Sequence, residues 1–557
     1  MTRLKIGFIV DNNEVDRYVF NLIKEITDNK TDFCSPEIIS LQRENSSSNF
    51  ISKISKLLSS DRPFSDLISS LLGKLILKLE RKKLNNDKLH KDHGKLTNTD
   101  GLNLQTINVV PNVSKSGFIY TLEEKDLRQI QNNKIDLLIR CGSGILRGEI
   151  LNCCKFGILS LHHGDNRSYR GIPAGFWEVY QEEASSGFII QRLTEVLDGG
   201  EVLLRGNIMT ASYWQLNYAN LCKKSYSFMH KTLINIARSK KLPDFEKNLP
   251  YGNKLFRFPR PLILIKYIYR QSFKVLKNNI FSFLNYRVTW SVSYLKHNNL
   301  SLSLSKGTEI ENPNRRFLAD PFLYSHEGRT VCFVEDFFFD ENKGKISAYE
   351  ITDKSHKELG VILEEDFHLS FPYVFKYKGD IFMCPETSEK NEIRLYKCNK
   401  FPHSWSFYKT IIENVSAADT LIFPFNDNWC LLSNICSSHM DEHNSELHMF
   451  FAENPLSQNW RPSQNNPIIF DSEKARNGGL FKLKDDFYRV NQIHEKSHYG
   501  KAFGINKIQM AEDQGYQEER ILNILPVFLK KLMGTHHFHA NEEFFVFDHS
   551  RLKRLNR

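Results

Sequence analysis

The densest group of chemically capable side chains lies between residues 157 and 206. An apolar run, Gly157-Ile-Leu-Ser160-Leu, ends on His162-His163. A polar loop follows: Gly164-Asp-Asn-Arg-Ser-Tyr169-Arg170-Gly171-Ile-Pro173. A further apolar stretch leads to Leu197-Asp198-Gly199-Gly200. A histidine where a strand ends, followed by a glycine-containing loop and a helix, is a common active-site position in α/β folds. A carboxylate such as Asp198 beside His162 would raise the imidazole pKa and orient the ring. The imidazolium can then donate to an oxygen that gains negative charge, while the carboxylate or water accepts a proton. That pairing suits acyl transfer to an amine and calls for no metal. His162 and His163 are not a metal pair, since strand neighbours point to opposite faces.

These residues need elements to position them. Residues 5–10, 38–41, 109–110, 135–140 and 157–161 are short apolar runs that read as strands. Residues 14–27 have helical spacing, with Val15, Tyr18, Val19, Leu22, Ile23 and Ile26 on one face. Residues 49–90 read as helical and basic, and 213–240 as one long helix. Strands alternating with helices imply an α/β domain with a mainly parallel sheet. Pro243, Pro250, Pro259 and Pro261 then mark a boundary.

With those elements in place, residues 136–204 resemble the formyltransferase family that uses formyl-tetrahydrofolate. That family includes methionyl-tRNA, glycinamide-ribonucleotide and sugar-amine formyltransferases. Its pattern is Asn-x-His, a short loop, Tyr-Arg-Gly and Pro, then Asp-x-Gly. Aligned on Tyr169-Arg170-Gly171, the family His falls on His162, the Asp on Asp198 and the Asn on Ser160. The resemblance implies a Rossmann-like domain over residues 1–245, with a basic helical insertion at about 49–90. It implies formyl-tetrahydrofolate as donor, bound by the loop that carries Cys141, Gly142, Ile145 and Leu146. It assigns catalysis to His162, Asp198 and Ser160, and substrate contact to His163, Tyr169 and Arg170. Two departures stand out. Ser160 offers a shorter hydrogen bond than the family amide, and losing one oxyanion donor costs about 100–1,000-fold in rate. A slow, a rebuilt and a retired site all follow from that exchange. The loop at 164–168 also replaces the family's Ser-Leu-Leu-Pro, which alters substrate selection.

Residues 246–290 read as a linker that holds a helix at 262–284 with Lys266, Arg270, Lys274 and Lys277. Such a helix packs its apolar face on a neighbour or lies on a membrane surface. From Arg287 onward helical periodicity gives way to aromatic-rich strands. Five similar segments begin at Ala319, Phe371, Ala418, Gly478 and Gly534, about 50–60 residues apart, which predicts an all-β five-bladed propeller over 291–557. The motifs Arg316-Phe-Leu-Ala-Asp320-Pro, Phe333-Val-Glu335-Asp336, Pro385-Glu386-Thr, Ala418-Asp419-Thr, Arg476-Asn-Gly-Gly and Gly534-Thr-His536 are similar to those of two kinds of propeller domain. One belongs to furanosidase-like glycoside hydrolases, the other to glucosamine inositolphosphorylceramide transferases. The expectation is that Asp320, Glu386 and Asp419 converge on a central channel. There they bind a sugar, hydrolyse a glycoside as a carboxyl pair about 5–9.5 Å apart, or only cap turns.

Composition sets the outer bounds. With 557 residues the chain is too long for one core. Its 41% hydrophobic and 25% charged residues are ordinary for a globular protein, and 12% aromatics favour β structure. The net charge of +10 attracts phosphate-bearing ligands or anionic lipid where it is not simply solvated. Ten scattered cysteines lack zinc-ligand spacing, and the N-terminus carries no signal-peptide pattern. Free thiols and a cytoplasmic location follow as expectations, with peripheral contact at the inner membrane surface. The sequence therefore points to formylation of an amino group on a sugar or nucleotide-sugar, in surface polysaccharide or glycolipid synthesis. The second half would hold the glycan or glycolipid acceptor. Nucleic acid is not an expected partner, because a propeller stands where the tRNA-directed family has a small barrel. A carbohydrate-binding protein with a decayed transferase domain remains open, as does a glycosidase or glycosyltransferase acting through the channel.

Overall fold

The computed structural model describes residues 3–42, 64–115, 117–196, 199–246, 254–296, 303–438, 440, 442–496, 498–511 and 515–555. The chain forms two compact units, Met1–Ser272 and Phe273–Arg557.

The first unit is built on a seven-stranded sheet. Its spatial order is Glu201–Met209, Ser185–Arg192, Ile158–His162, Leu137–Arg140, Ile6–Val10, Glu37–Leu41 and Thr106–Val109. The last five run parallel, and the first two are antiparallel additions at one edge. Ile6–Val10 and Glu37–Leu41 are buried along their whole length, as strands covered on both faces must be. The register sets Ile9 and Ser160 on either side of Arg140, so the carboxyl ends of three strands finish level. Helix Trp214–Ser239 packs on Ser185–Arg192 and on helix Arg17–Asp28.

The helix expected over 14–27 is shorter at its start. Residues Glu14–Asp16 pair as a strand with Leu96–Asn98, and the Asp16 carboxylate accepts from Tyr18 N at 3.0 Å. Asp is a strong N-cap because it satisfies an otherwise unpaired helical N–H. The basic helical insertion appears as Phe64–Leu84, while the part of it over 49–63 lies outside the described residues.

The short helix Phe176–Gln181 follows the polar loop and buries Glu178. Burial, with the charge of Glu183 added, pushes the Glu178 carboxyl up to about 7 from an ordinary 4.5. Folded protein therefore keeps this proton at a pH where the unfolded chain has lost it. Its contribution is complete below the unfolded value and is lost as pH rises through the folded one, by up to about 3 kcal/mol. Glu178→Gln is expected to flatten that slope, read by urea unfolding at about pH 5 and about pH 8.

The second unit consists of five antiparallel sheets in succession. Each predicted repeat is the hairpin that begins one sheet: Arg316–His326 with Arg329–Phe338, Ser370–Tyr377 with Asp380–Glu386, Ala417–Phe425 with Asn428–Ile435, Asn477–Leu483 with Asp486–Glu495, and Phe538–Ala540 with Phe544–Arg554. The last sheet is completed by Tyr286–Lys296 and Thr308–Ile310 from the start of the unit. Each first strand touches the next. Phe322 packs on Phe371, Tyr373 donates to Ile422 O, Asn477 donates to Asp419 O, and Gly478 lies against His536 O. His537 then returns to within 3.4 Å of Asp320. Four of the first strands bulge at the same place, and Asp320, Phe371, Asp419 and Gly479 take positive φ there. A bulge re-aims the side chain it carries.

Candidate functional site

In the first unit the candidate chemistry collects at the carboxyl ends of the parallel strands. Ser160 and His162 are two residues apart on one strand and so share a face. Ser160–Arg140 is the last pair of that ladder, so His162 continues past the point where the neighbouring strand gives way to its exit loop. That loop is tied down by charge. Arg140 donates to Asp11 at 2.7 Å and to the carbonyl of Ser143, while Ser143 N and Oγ donate to Asp11 at 2.7 and 2.6 Å. Burial alone would raise the Asp11 carboxyl. Arg140 and the Ser143 bonds outweigh it and hold the group below its usual range. A Cβ on Gly142 would sit 2.4 Å from Asp11 and 2.5 Å from Arg140, and one on Gly144 would sit 2.5 Å from the Tyr120 ring, so the loop must be glycine there. Burial pushes the Cys141 thiol up to about 12, so it is no nucleophile. Ile145 and Leu146 form a short strand beside Ile119–Thr121, with Leu146 buried and Ile145 half-buried.

His163 is turned away toward helix Trp214–Ser239. Its Nε2 lies 3.0 Å from Ser225 Oγ, and its ring meets Tyr218 edge-on. Burial, and the nearby His162, bring its pKa down to about 4, so it is neutral at physiological pH. Tyr169 stacks near Phe256, and its hydroxyl lies 2.7 Å from Glu183. Arg170 and Gly171 pair with Leu255–Phe256. Asp198 lies outside the described residues. Gly164 is pressed between His162 and Tyr169: an added Cβ would be 3.2 Å from His162 Nε2 and 2.7 Å from Tyr169 O. Gly164→Ala is expected to displace the loop at a cost of about 1–3 kcal/mol and to disturb His162. Thermal unfolding and a formyl-transfer assay on the same preparation check both effects.

The second unit assembles a buried charge cluster from the first two strands of its sheets and the residues that lead into them. Arg476 donates to Asp419 and lies 3.5 Å from Glu386, which links two of the three carboxylates expected to converge. Gln492 adds a bond to Asp419 at 3.3 Å. Asp320 sits 3.5 Å from His536 Nε2, and His536 Nδ1 is 2.6 Å from Asp548. Trp290 covers His536 at 4.0 Å, and Tyr499 approaches both His536 and Arg476. Glu335 reaches His368 at 3.5 Å. The groups titrate apart. Burial, then the charges of Asp320, Glu386 and Asp419, drive the Glu335 carboxyl well above the carboxylate range. Burial also drives Asp419 up, against Arg476. Asp320 stays below its usual value despite burial, because His537, His536 and Arg476 favour its charge. Burial alone would lower His536, but Asp548 and Asp320 raise it.

Arg476, His536 and Glu335 stand inside the sequence motifs, but nothing local marks their contacts, nor those of Asp548, Gln492 and Tyr499. The signal is tertiary: Arg476 and Gln492 reach Asp419, and His536 reaches Asp320, from other sheets. Among the described residues Asp320, His536 and Asp548 bring one ligand-type atom each within 4.8 Å of one another, a set that suits a cation or shared protons.

A family model described as "Glucosamine inositolphosphorylceramide transferase 1, N-terminal" matches residues 295–535. The glucosamine inositolphosphorylceramide transferase 1 of Oryza sativa subsp. japonica is 34% identical over 223 residues, which span 39% of this chain and 29% of that protein. The chain thus matches under a third of that relative's length. The methionyl-tRNA formyltransferase of Ehrlichia ruminantium (strain Welgevonden) is 24% identical over 242 residues, 42% of this chain and 78% of that protein. The crystal structure of glycinamide ribonucleotide transformylase 1 from Symbiobacterium toebii aligns with a TM-score of 0.29 and 11% identity, over 43% of this chain and 95% of that one.

Proposed function

We propose that the first unit transfers a formyl group from formyl-tetrahydrofolate to an amino group of a sugar or nucleotide-sugar, and that the second unit holds the glycan or glycolipid that bears it. One observation carries the reading: Ser160 and His162 end their strand on one face, where the adjacent strand gives way to its glycine loop. The similarity to a methionyl-tRNA formyltransferase over 42% of the chain supports it.

The exit loop suits the donor. Its glycines let the backbone pack tightly against Asp11, Arg140 and Tyr120, which fixes the loop, and Ile145 adds an apolar edge. Cys141, Gly142, Ile145 and Leu146 are the residues that would hold formyl-tetrahydrofolate, which when bound supplies the electrophilic formyl carbon. The remaining work falls to the chain. His162 donates to the oxygen that gains charge, and Ser160 Oγ is a second donor from the same face. Asp198 accepts the proton that the attacking amine releases and returns it, directly or through water, to the donor nitrogen that leaves as the old C–N bond breaks. His163, neutral and bonded to Ser225, fixes the strand end against the long helix. Tyr169 and Arg170 border the acceptor side.

In the same reading the five sheets are blades of a propeller, with Asp320, Glu386 and Asp419 facing its axis. Carboxylates interleaved with Trp290 and Tyr499 bind sugar hydroxyls and ring faces. The similarity to glucosamine inositolphosphorylceramide transferases favours a glycolipid. A second reading rests on Glu335 and Asp320, whose surroundings push their carboxyl groups in opposite directions, Glu335 upward through burial and Asp320 downward through its histidine neighbours. Carboxyl groups pushed apart in this way are what acid–base cleavage of a glycoside needs. Incubation with formyl-tetrahydrofolate and a panel of amino sugars, amino nucleotide-sugars and methionyl-tRNA, followed by mass spectrometry, tests the main reading. Formyl addition to a sugar amine is the expected result. Addition only to the tRNA, or to nothing, overturns it. Release of free sugar from a glycoside panel would favour the second reading.

A further inference from the structure

Two helical segments of the first unit, Phe64–Leu84 and residues 261–272 of helix Pro261–Phe283, commit one face to the core and leave the other bare. Phe64–Leu84 buries Ser69, Gly73, Ile76 and Leu84, and Pro261–Phe283 buries Leu264 and Tyr267. They meet around Phe176 and Trp214, where Ile76, Leu264 and Tyr267 share one apolar cluster. A polar lock fixes the pair. The Tyr267 hydroxyl donates to Glu80 at 2.6 Å and accepts from Trp214 N at 2.8 Å, while Gln215 N donates to Glu80 at 2.9 Å. With the inner faces fixed, the outer faces cannot rotate inward.

Those outer faces are apolar and cationic together. On the first helix Leu71, Leu75 and Leu79 are exposed at steps of four, and exposed Lys74, Lys78 and Lys82 run beside them in the same steps. On the second segment, Leu262 and Ile265 are exposed one turn apart, with Leu262 at 79%, and exposed Lys266 flanks them. Residues 261–272 contain no acidic residue. No helix among the described residues is long and apolar enough to cross a membrane.

We propose that these two helical segments form a docking surface for an anionic lipid bilayer, lying in its headgroup region. A protein partner would have to bury lysines interleaved with leucines, which is costly unless every cation is matched. A lipid interface accepts both at once: leucine and isoleucine enter the acyl boundary, while lysine stems extend to the phosphates. This surface would present the first unit to a membrane-borne acceptor, but its existence does not depend on formyl transfer.

The test is co-sedimentation of the full chain with phosphatidylcholine vesicles and with vesicles made one-third phosphatidylglycerol. Binding to the anionic vesicles is expected to exceed binding to the neutral ones by about tenfold or more, and to weaken with salt. Two triple variants are compared, each with its thermal unfolding: Lys74→Gln with Lys78→Gln and Lys82→Gln, and Leu75→Gln with Leu79→Gln and Ile265→Gln. Each is expected to lose about tenfold or more of the anionic binding while unfolding as the parent does. Equal binding to both vesicle types, or undiminished binding by both variants, overturns the proposal. So does a concentration-dependent dimer that the leucine variant abolishes without vesicle binding in the parent, which would assign this face to a second copy of the chain.

Discussion

Exchanging His162 for Gln is expected to lower formyl transfer by about 10²–10⁴-fold, the usual worth of a positioned acid–base group. Glutamine keeps a hydrogen-bond donor on a side chain of similar reach but cannot carry the proton. The strand should survive, because the sheet is held by the buried cores of its neighbours and not by this half-buried ring. Asp198→Asn is the companion change: it removes the charge, keeps the size, and should cost at least about 100-fold. Ser160→Asn separates two histories of the site. If Ser160 is a weakened amide, the longer side chain restores an oxyanion donor, and the rate holds or rises. If the site is built around serine, the extra atoms crowd the space beside Gly142 and activity falls. Single-turnover transfer to the best amine, followed by mass spectrometry and paired with circular dichroism, reads all three. Full activity in His162→Gln would remove the imidazole from the mechanism. Donor binding without transfer, in the parent and in Ser160→Asn alike, would favour a decayed site that retains only its pocket.

Much of the architecture was visible in local pattern. The inner parallel strands are covered on both faces, so Ile6–Val10 announces itself as an uninterrupted run. Four of the five repeats are legible because their bulges demand particular residues. Asp tolerates the positive φ of Asp320 and Asp419, glycine suits Gly479, and these recur at a near-constant period. Phe371 takes the same conformation against its own preference, held by packing on Phe322 and His537. Pattern fails where a distant partner decides the outcome. The apolar spacing at Val15, Tyr18 and Val19 reads as one helix from 14. Yet pairing with Leu96–Asn98 draws Glu14–Asp16 into a strand. Arg140 and Asp11 end neighbouring strands 129 residues apart, and nothing local marks them as an ion pair. Asp320, Glu386 and Asp419 stood out as acidic residues in repeated motifs. Glu335, His536, Asp548 and Arg476 acquire meaning only when the sheets meet.

The interior of the second unit supplies the other large effect. Arg476→Met is expected to destabilise that unit by about 3–5 kcal/mol, the cost of leaving a buried carboxylate without its partner. The side chain is 11% exposed and its partner Asp419 only 2%, so water cannot replace the lost contact. Glu386 loses the same cation. The loss should depend on pH. Burial already lifts the Asp419 carboxyl against the pull of Arg476, and removing that pull lifts it further. A carboxyl with a raised folded pKa favours the folded state below its unfolded value, and that contribution disappears as pH rises through the folded one. The variant should therefore approach the parent near about pH 4 and fall furthest behind above neutrality. Adding Asp419→Asn removes the orphaned charge, so the double variant should recover most of the deficit. A double-mutant cycle by urea unfolding, run at both ends of that range, separates the two outcomes. A pH-independent deficit, or a double variant no better than Arg476→Met alone, would mean that Arg476 acts through packing against Tyr499 and not through the carboxylates it joins.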